Sequence, residues 1–279
     1  MSTDYQKRLA ERSQPEEFRK TLKLLGATTL GVGALMGAGL YVLVGIAAKA
    51  AGPGMWMAYA VCGLLTAFSV LMFADFAHRM PVSGGGYVYA YRQLGSFWGF
   101  MVGWHLAVGS IFACALYAFG FGSYLLSFFP DAASPWLVKL LAIVLVGVLT
   151  GIALKGAGGE RLQTIFTWGN LVVILVLVAV AIPLARGARF EPMLPNGIGG
   201  VGAAISLIYI SFFGYQLIAN TAEEIHDAPR TVPRAMIISL SVAAFFYLLV
   251  AVVAIAAVDW QDLAGSDAPL VLVAQRAVG

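Results

Sequence analysis

Gly31-Val32-Gly33-Ala34-Leu35-Met36-Gly37-Ala38-Gly39-Leu40-Tyr41 sits inside an apolar run that should cross a bilayer as one helix, yet it carries four glycines within nine residues. Each glycine lowers helix propensity by about 1 kcal/mol relative to alanine, so the helix is expected to unwind there. A second apolar run is interrupted in the same way at Tyr209-Ile210-Ser211-Phe212-Phe213-Gly214-Tyr215-Gln216, ahead of Thr221-Ala222-Glu223-Glu224. Unwound backbone at membrane depth is tolerated only where protein or a water-filled cavity satisfies its N–H and C=O groups. Two broken spans in one chain point to the binding site of a transporter. For the first segment alone, close helix packing through small residues explains the glycines equally well. The second segment shifts the balance toward a site.

The composition sets the class. Of the residues 60% are hydrophobic and 11% charged, with a mean hydropathy of +0.86; an ordinary soluble domain carries roughly 25% charged residues. The chain is an all-α integral membrane protein with the lipid bilayer as solvent. Its basic residues are scattered between apolar spans, which excludes a nucleic-acid surface. Cys62 and Cys114 lie inside apolar runs and read as packing residues. His78, His105 and His226 lack ligand spacing, so neither a metal nor another cofactor is expected. His105 either faces a cavity or packs as an ordinary hydrogen-bonded histidine.

A span needs about 20 mainly apolar residues. Seven candidates are expected, at 24–48, 54–77, 97–129, 136–154, 163–185, 201–222 and 235–258. Residues 1–23 form a tail without the features of a cleaved signal. The stretch from Met80 to Tyr91 is rich in glycine and reads as a loop whose tyrosines suit a membrane interface. With the tail in the cytosol, twelve of the 17 Lys and Arg residues fall on the cytosolic side, and Lys49, Lys139, Arg186, Arg189 and Arg276 on the other. Positive residues stay inside, so the N-terminus is expected in the cytosol and the protein in the cytoplasmic (inner) membrane.

With these residues in place, the chain resembles the amino acid–polyamine–organocation superfamily, and within it the bacterial amino acid permeases. The resemblance rests on Gly33–Leu40 in the first span, on Pro81-Val82-Ser83-Gly84-Gly85-Gly86-Tyr87 and on Ala222-Glu223-Glu224 followed by Asp227-Ala228-Pro229-Arg230-Thr231-Val232-Pro233-Arg234-Ala235. It implies two inverted five-helix repeats whose first helices are broken. The first repeat would occupy 24–185, and 201–279 would hold the first two helices of the second. Such permeases have ten or more spans, so the sequence is expected to be a fragment of a longer one, the alternative being a split permease whose partner chain supplies the rest. Ala268-Pro269-Leu270-Val271 then leads toward an eighth span.

The breaks suggest a ligand. Amides at the head of a half-helix near Met36, Gly37, Ala38 and Gly39 favour a carboxylate, and glycine lets it approach the backbone. Carbonyls of Ile210, Ser211 and Phe212, with Gly214 beside them, would face an ammonium group. One amino acid zwitterion satisfies both, and the resemblance implies the same positions. Phe212, Phe213 and Tyr215 are the candidate gates, and Phe212 is favoured because it stands immediately before Phe213-Gly214 at the break. Members of the superfamily often carry a lysine in the fifth span, where this chain has Asn170, a side chain that cannot titrate; the ion-coupling region is placed there, and the coupling ion is left open.

No carboxylate is expected at midplane depth, and Gln216 stands where some polyamine-carrying relatives have an acid. A neutral amino acid is therefore expected as the substrate, moved by alternating access; the alternatives are a cationic amino acid or polyamine permease, or an amino acid sensor with the same fold. Glu223, Glu224, Asp227, Arg230 and Arg234 either pair with Arg79 and Arg92 to close a cytosolic gate or form a solvated loop. A seven-span receptor is disfavoured by the cytosolic tail, and an enzyme by the lack of clustered Asp, His or Ser at depth.

Overall fold

The chain folds into helices joined by short turns; the computed structural model describes residues 20–129, 131, 134–154 and 159–278. The first apolar run forms three pieces: α1 (Leu24–Leu35), the single turn α2 (Ala38–Tyr41) and α3 (Leu43–Ala51). Helix stops at Leu35, and Met36 and Gly37 form a bend. A 3-10 turn, Gly52–Gly54, then leads directly into α4 (Met55–Arg79). Gly52 has φ 63°, a left-handed conformation that glycine adopts at no steric cost. It turns the chain so that α3 and α4 pack against each other.

Six helical stretches among the described residues are long and apolar enough to cross a membrane: Gly39–Arg79, Ser96–Leu126, Pro135–Leu154, Leu162–Leu184, Gly197–Asn220 and Ala228–Ala257. The first contains the turn at Gly52–Gly54, so it joins residues that the hydropathy pattern divides between two spans. α1 is apolar but only 12 residues long.

The glycine-rich stretch after α4 differs from expectation. Only Met80–Gly84 is a turn; α5 (Gly85–Leu94) is a helix. Gly84, at φ 107°, reverses the chain. Beyond it Tyr87 and Tyr91 stack one turn apart, ring centroids 6.1 Å apart, the i,i+4 spacing of a helix face. Tyr89 points the other way and stacks on Phe76 of α4.

There follow α6 (Ser96–Leu126), α7 (Pro135–Leu154) and α8 (Gly159–Ala181). α9 (Gly197–Ile208) runs into a 3-10 stretch, Tyr209–Tyr215, and then into the short α10 (Gln216–Asn220). α11 (Ala228–Ala257), α12 (Trp260–Gly265) and α13 (Pro269–Val278) complete the chain.

α11 begins seven residues before the span expected at 235. Pro229 sits in its first turn, where a missing N–H is harmless. Pro233 lies further in and leaves the Pro229 carbonyl without its i+4 donor. His78 Nδ1, 2.9 Å away, donates to that oxygen instead. The core lies where α11 packs on α1 and α4; fifteen of its residues, from Ala228 to Ala257, are buried. α6 and α7 form the rim, with Phe112, Phe121, Ile143 and Leu149 exposed, as apolar side chains facing lipid would be.

Candidate functional site

Both interruptions fall at one crossing. A Cβ added to Gly214 would stand 2.4 Å from the Ala34 carbonyl carbon, and one on Gly39 would stand 2.4 Å from Ser211 Oγ. The broken segments therefore touch backbone to backbone at Gly214, while Gly39 makes room for the Ser211 side chain. Gly31 and Gly33 serve packing in the same way, against Ser239 and Thr167, at 2.5 and 2.3 Å respectively. Gly37 is different: the nearest atom to its added Cβ is Tyr117 Cζ, in ordinary contact at 3.6 Å. Three of the four glycines in the opening stretch thus pack helices, and one leaves room.

The carbonyls freed at the bend are taken by side chains. Tyr247 of α11 donates its hydroxyl to the Leu35 carbonyl and also to Ser211 O, at 3.2 Å. Asn170 of α8 donates Nδ2–H to Met36 O at 3.0 Å and accepts the Tyr41 hydroxyl on Oδ1. Tyr124 of α6 donates to Tyr41 O at 2.7 Å and accepts from the Leu270 amide at 3.2 Å. Unwound backbone in an apolar surround is costly unless paired, and three other helices supply the partners. Helix resumes at Ala38, so the amides of Ala38 and Gly39 head the second half, where a helix lacks acceptors of its own.

Beside the crossing lies a cavity of about 1030 Å³, lined by α1, α4, α5, α6 and the α9–α10 segment. Its wall includes Ala34, Phe73, Trp98, Tyr117, Ile210, Phe213, Gly214 and Gln216, and carries no Asp, Glu, Lys or Arg. His105 also lines it and bonds Met101 O of its own helix at 2.7 Å.

The expected site residues divide between this cavity and the crossing behind it. Ile210 and Gly214 line the cavity, and Gly37 faces Tyr117 at its edge. Met36, Gly39 and Ser211 are buried at the crossing. Ser211 O is engaged by Tyr247, while Ser211 Oγ is buried with no hydrogen-bond partner among the described residues. Phe212 is 1% exposed, its ring 4.8 Å from that of Tyr247. Its neighbour Phe213 is 38% exposed and forms cavity wall. Tyr215 is buried, edge-on to Phe73 at 5.3 Å.

Sequence reasoning misses Tyr247, Tyr117 and the Tyr41–Tyr124 pair. A tyrosine deep in an aliphatic span needs a partner for its hydroxyl, and that is the signal that could have found Tyr247.

The second and third motifs behind the resemblance meet through a hydrogen bond rather than an ion pair. Arg79 pairs with Asp75 of its own helix, at 3.0 Å and in the open, and not with Glu223 or Glu224. The Glu223 amide donates to Ser83 Oγ at 3.3 Å. Glu224 O accepts the amides of Thr21 and Leu22, and the His226 amide donates to Leu22 O at 2.8 Å. Among the described residues no cluster of His, Cys, Asp or Glu could hold a metal.

The amino acid permease family model matches residues 22–279. The chain belongs to the amino acid permease family. It is similar to the branched-chain amino acid permease BcaP of Bacillus subtilis, at 30% identity over 96% of this chain and 62% of that protein. It is 34% identical to an uncharacterised transporter of Mycobacterium tuberculosis, over 94% of this chain and 58% of the relative. Human cationic amino acid transporter 4 is 31% identical, over 92% and 44%. The chain therefore spans about half the length of the curated relatives it matches. The permease is a multi-pass membrane protein of the amino acid–polyamine–organocation superfamily, whose members here are transporters rather than enzymes.

Proposed function

We propose that this permease carries a neutral amino acid across the cytoplasmic membrane by alternating access, with its N-terminus in the cytosol. The observation that carries the proposal is a cavity without a formal charge lying against two helix breaks. The amides heading α2 offer a carboxylate a helix N-terminus. The 3-10 backbone from Ile210 to Gly214 lies opposite, for the ammonium group. A third charge on the substrate would enter without a counter-charge, which is expensive at membrane depth.

On this view α1 to α3 make the first of seven crossings and α9 with α10 the sixth, the leading helices of inverted repeats at 24–185 and 201–279. Gly37, Ala38, Ile210 and Gly214 touch the substrate, Met36, Gly39 and Ser211 shape the crossing, and Phe212 and Tyr215 move with the gate. Asn170 holds the first break without titrating, so the coupling step does not pass through a proton on that residue.

The name of the human relative supports a second reading, a cationic amino acid substrate. Uptake into proteoliposomes by the longest protein the gene encodes separates the two. Leucine, valine and alanine should compete with one another, and arginine, lysine and putrescine should not. Saturable arginine uptake insensitive to leucine would contradict the neutral assignment, and binding without flux would make the protein a sensor.

A further inference from the structure

Tyr247 lies about two-thirds of the way along α11, outside every motif behind the family resemblance. Its ring is fully buried between Tyr59, stacked at 5.3 Å and 15°, and Phe212 at 4.8 Å. Its hydroxyl has one proton and reaches two acceptors: the carbonyl of Leu35, the last residue of α1, and Ser211 O within the 3-10 stretch. Each acceptor belongs to a different break. Tyr59 of α4 holds one face of the ring, and Phe212 on the other face belongs to the second break itself.

We propose that Tyr247 is a positioning residue that ties the two breaks together, so that the amides at Ala38 and the backbone from Ile210 to Gly214 reach one ligand in fixed register. The inference rests on the reading of the crossing as an amino acid site. Displacement of α1 relative to the 3-10 segment then breaks one of the two bonds, and the breaks move as a pair.

Ser239 provides the control. It lies two turns earlier on α11 and donates to Thr28 O at 3.0 Å, so it joins the same two helices away from the bend. The test is equilibrium binding of radiolabelled L-leucine, or of L-arginine if only that binds, to the longest encoded protein in nanodiscs. Tyr247→Phe keeps the ring and removes the hydroxyl. It should weaken binding about tenfold, the loss expected for two modest hydrogen bonds, while Ser239→Ala changes it less than about twofold for a similar fall in melting temperature. Tyr247→Phe binding as wild type does would overturn the proposal and leave the transport reading intact. Failure of the wild type to bind either amino acid overturns both.

Hydrogen exchange on the wild-type protein needs no variant and covers a Tyr247→Phe that does not fold. The ligand should protect 36–41 and 209–215 with one shared midpoint. Separate midpoints, or protection of one segment alone, contradict the coupling.

Discussion

Asn170 shows what a single amide accomplishes at this crossing. It is a donor to Met36 O and an acceptor for Tyr41, so both halves of its side chain are in use. Asn170→Leu should cost about 1–2 kcal/mol, the scale of interhelical hydrogen bonds in membranes, read as a lower melting temperature in detergent. Asn170→Asp is more informative. A protonated carboxyl reproduces the donor and the acceptor, whereas the carboxylate offers no donor to Met36 O. Binding by Asn170→Asp should therefore be retained where the carboxyl is protonated, at low pH, and lost where it is ionised. A profile matching the wild type would show that the donor is dispensable. The glycines separate along the same lines. Gly37→Ala should be tolerated, since its Cβ meets only the Tyr117 ring at 3.6 Å, while Gly214→Ala meets Ala34 backbone at 2.4 Å. Overpacking of that kind costs about 1–3 kcal/mol, and thermal stability of the two variants checks the difference.

At the scale of elements, α11 is continuous through a proline because another helix supplies the missing bond. His78 bonds Pro229 O, the carbonyl that Pro233 leaves without an i+4 donor. In wild type, His78→Ala should destabilise by about 1 kcal/mol, the usual net worth of one hydrogen bond. In a Pro233→Ala background the intrahelical bond is restored, and His78→Ala should become nearly neutral. A double-mutant cycle on melting temperature measures this coupling; additive losses would mean that His78 acts through something else.

The elements also show which features a sequence conceals. The first break is legible, because four glycines weaken the helix there; the second run does not unwind but turns 3-10 around its single glycine. The cavity face of the second break is not legible. In a 3-10 stretch successive residues turn by about 120°, rather than the 100° of an α-helix, so the choice between Phe212 and Phe213 cannot be made by helical periodicity. The favoured Phe212 lies in the core, and Phe213 meets the cavity. α5 is concealed differently: its opening glycines read as loop, although Tyr87 and Tyr91 already have helical spacing. Tyr247 belongs to no pattern, and only the demand of a buried hydroxyl for a partner marks it.

On the scale of the whole molecule, a core of α1, α4, the α9–α10 segment and α11 holds the crossing, while α6 and α7 expose apolar faces. The orientation in the membrane rests on charge. Ser83→Cys should react with an impermeant maleimide only from the cytosolic side, and Arg186→Cys only from outside; the reverse pattern would invert the topology. The central claim is that a neutral amino acid binds where Gly37 faces Tyr117 at the edge of the cavity. Its most direct test is equilibrium binding of a radiolabelled neutral amino acid to membranes holding equal amounts of correctly inserted wild-type protein and Gly37→Leu. Saturable binding to the wild type that disappears in Gly37→Leu, whose side chain would fill the space before Tyr117, is the predicted result. Unimpaired binding by Gly37→Leu would place the site elsewhere.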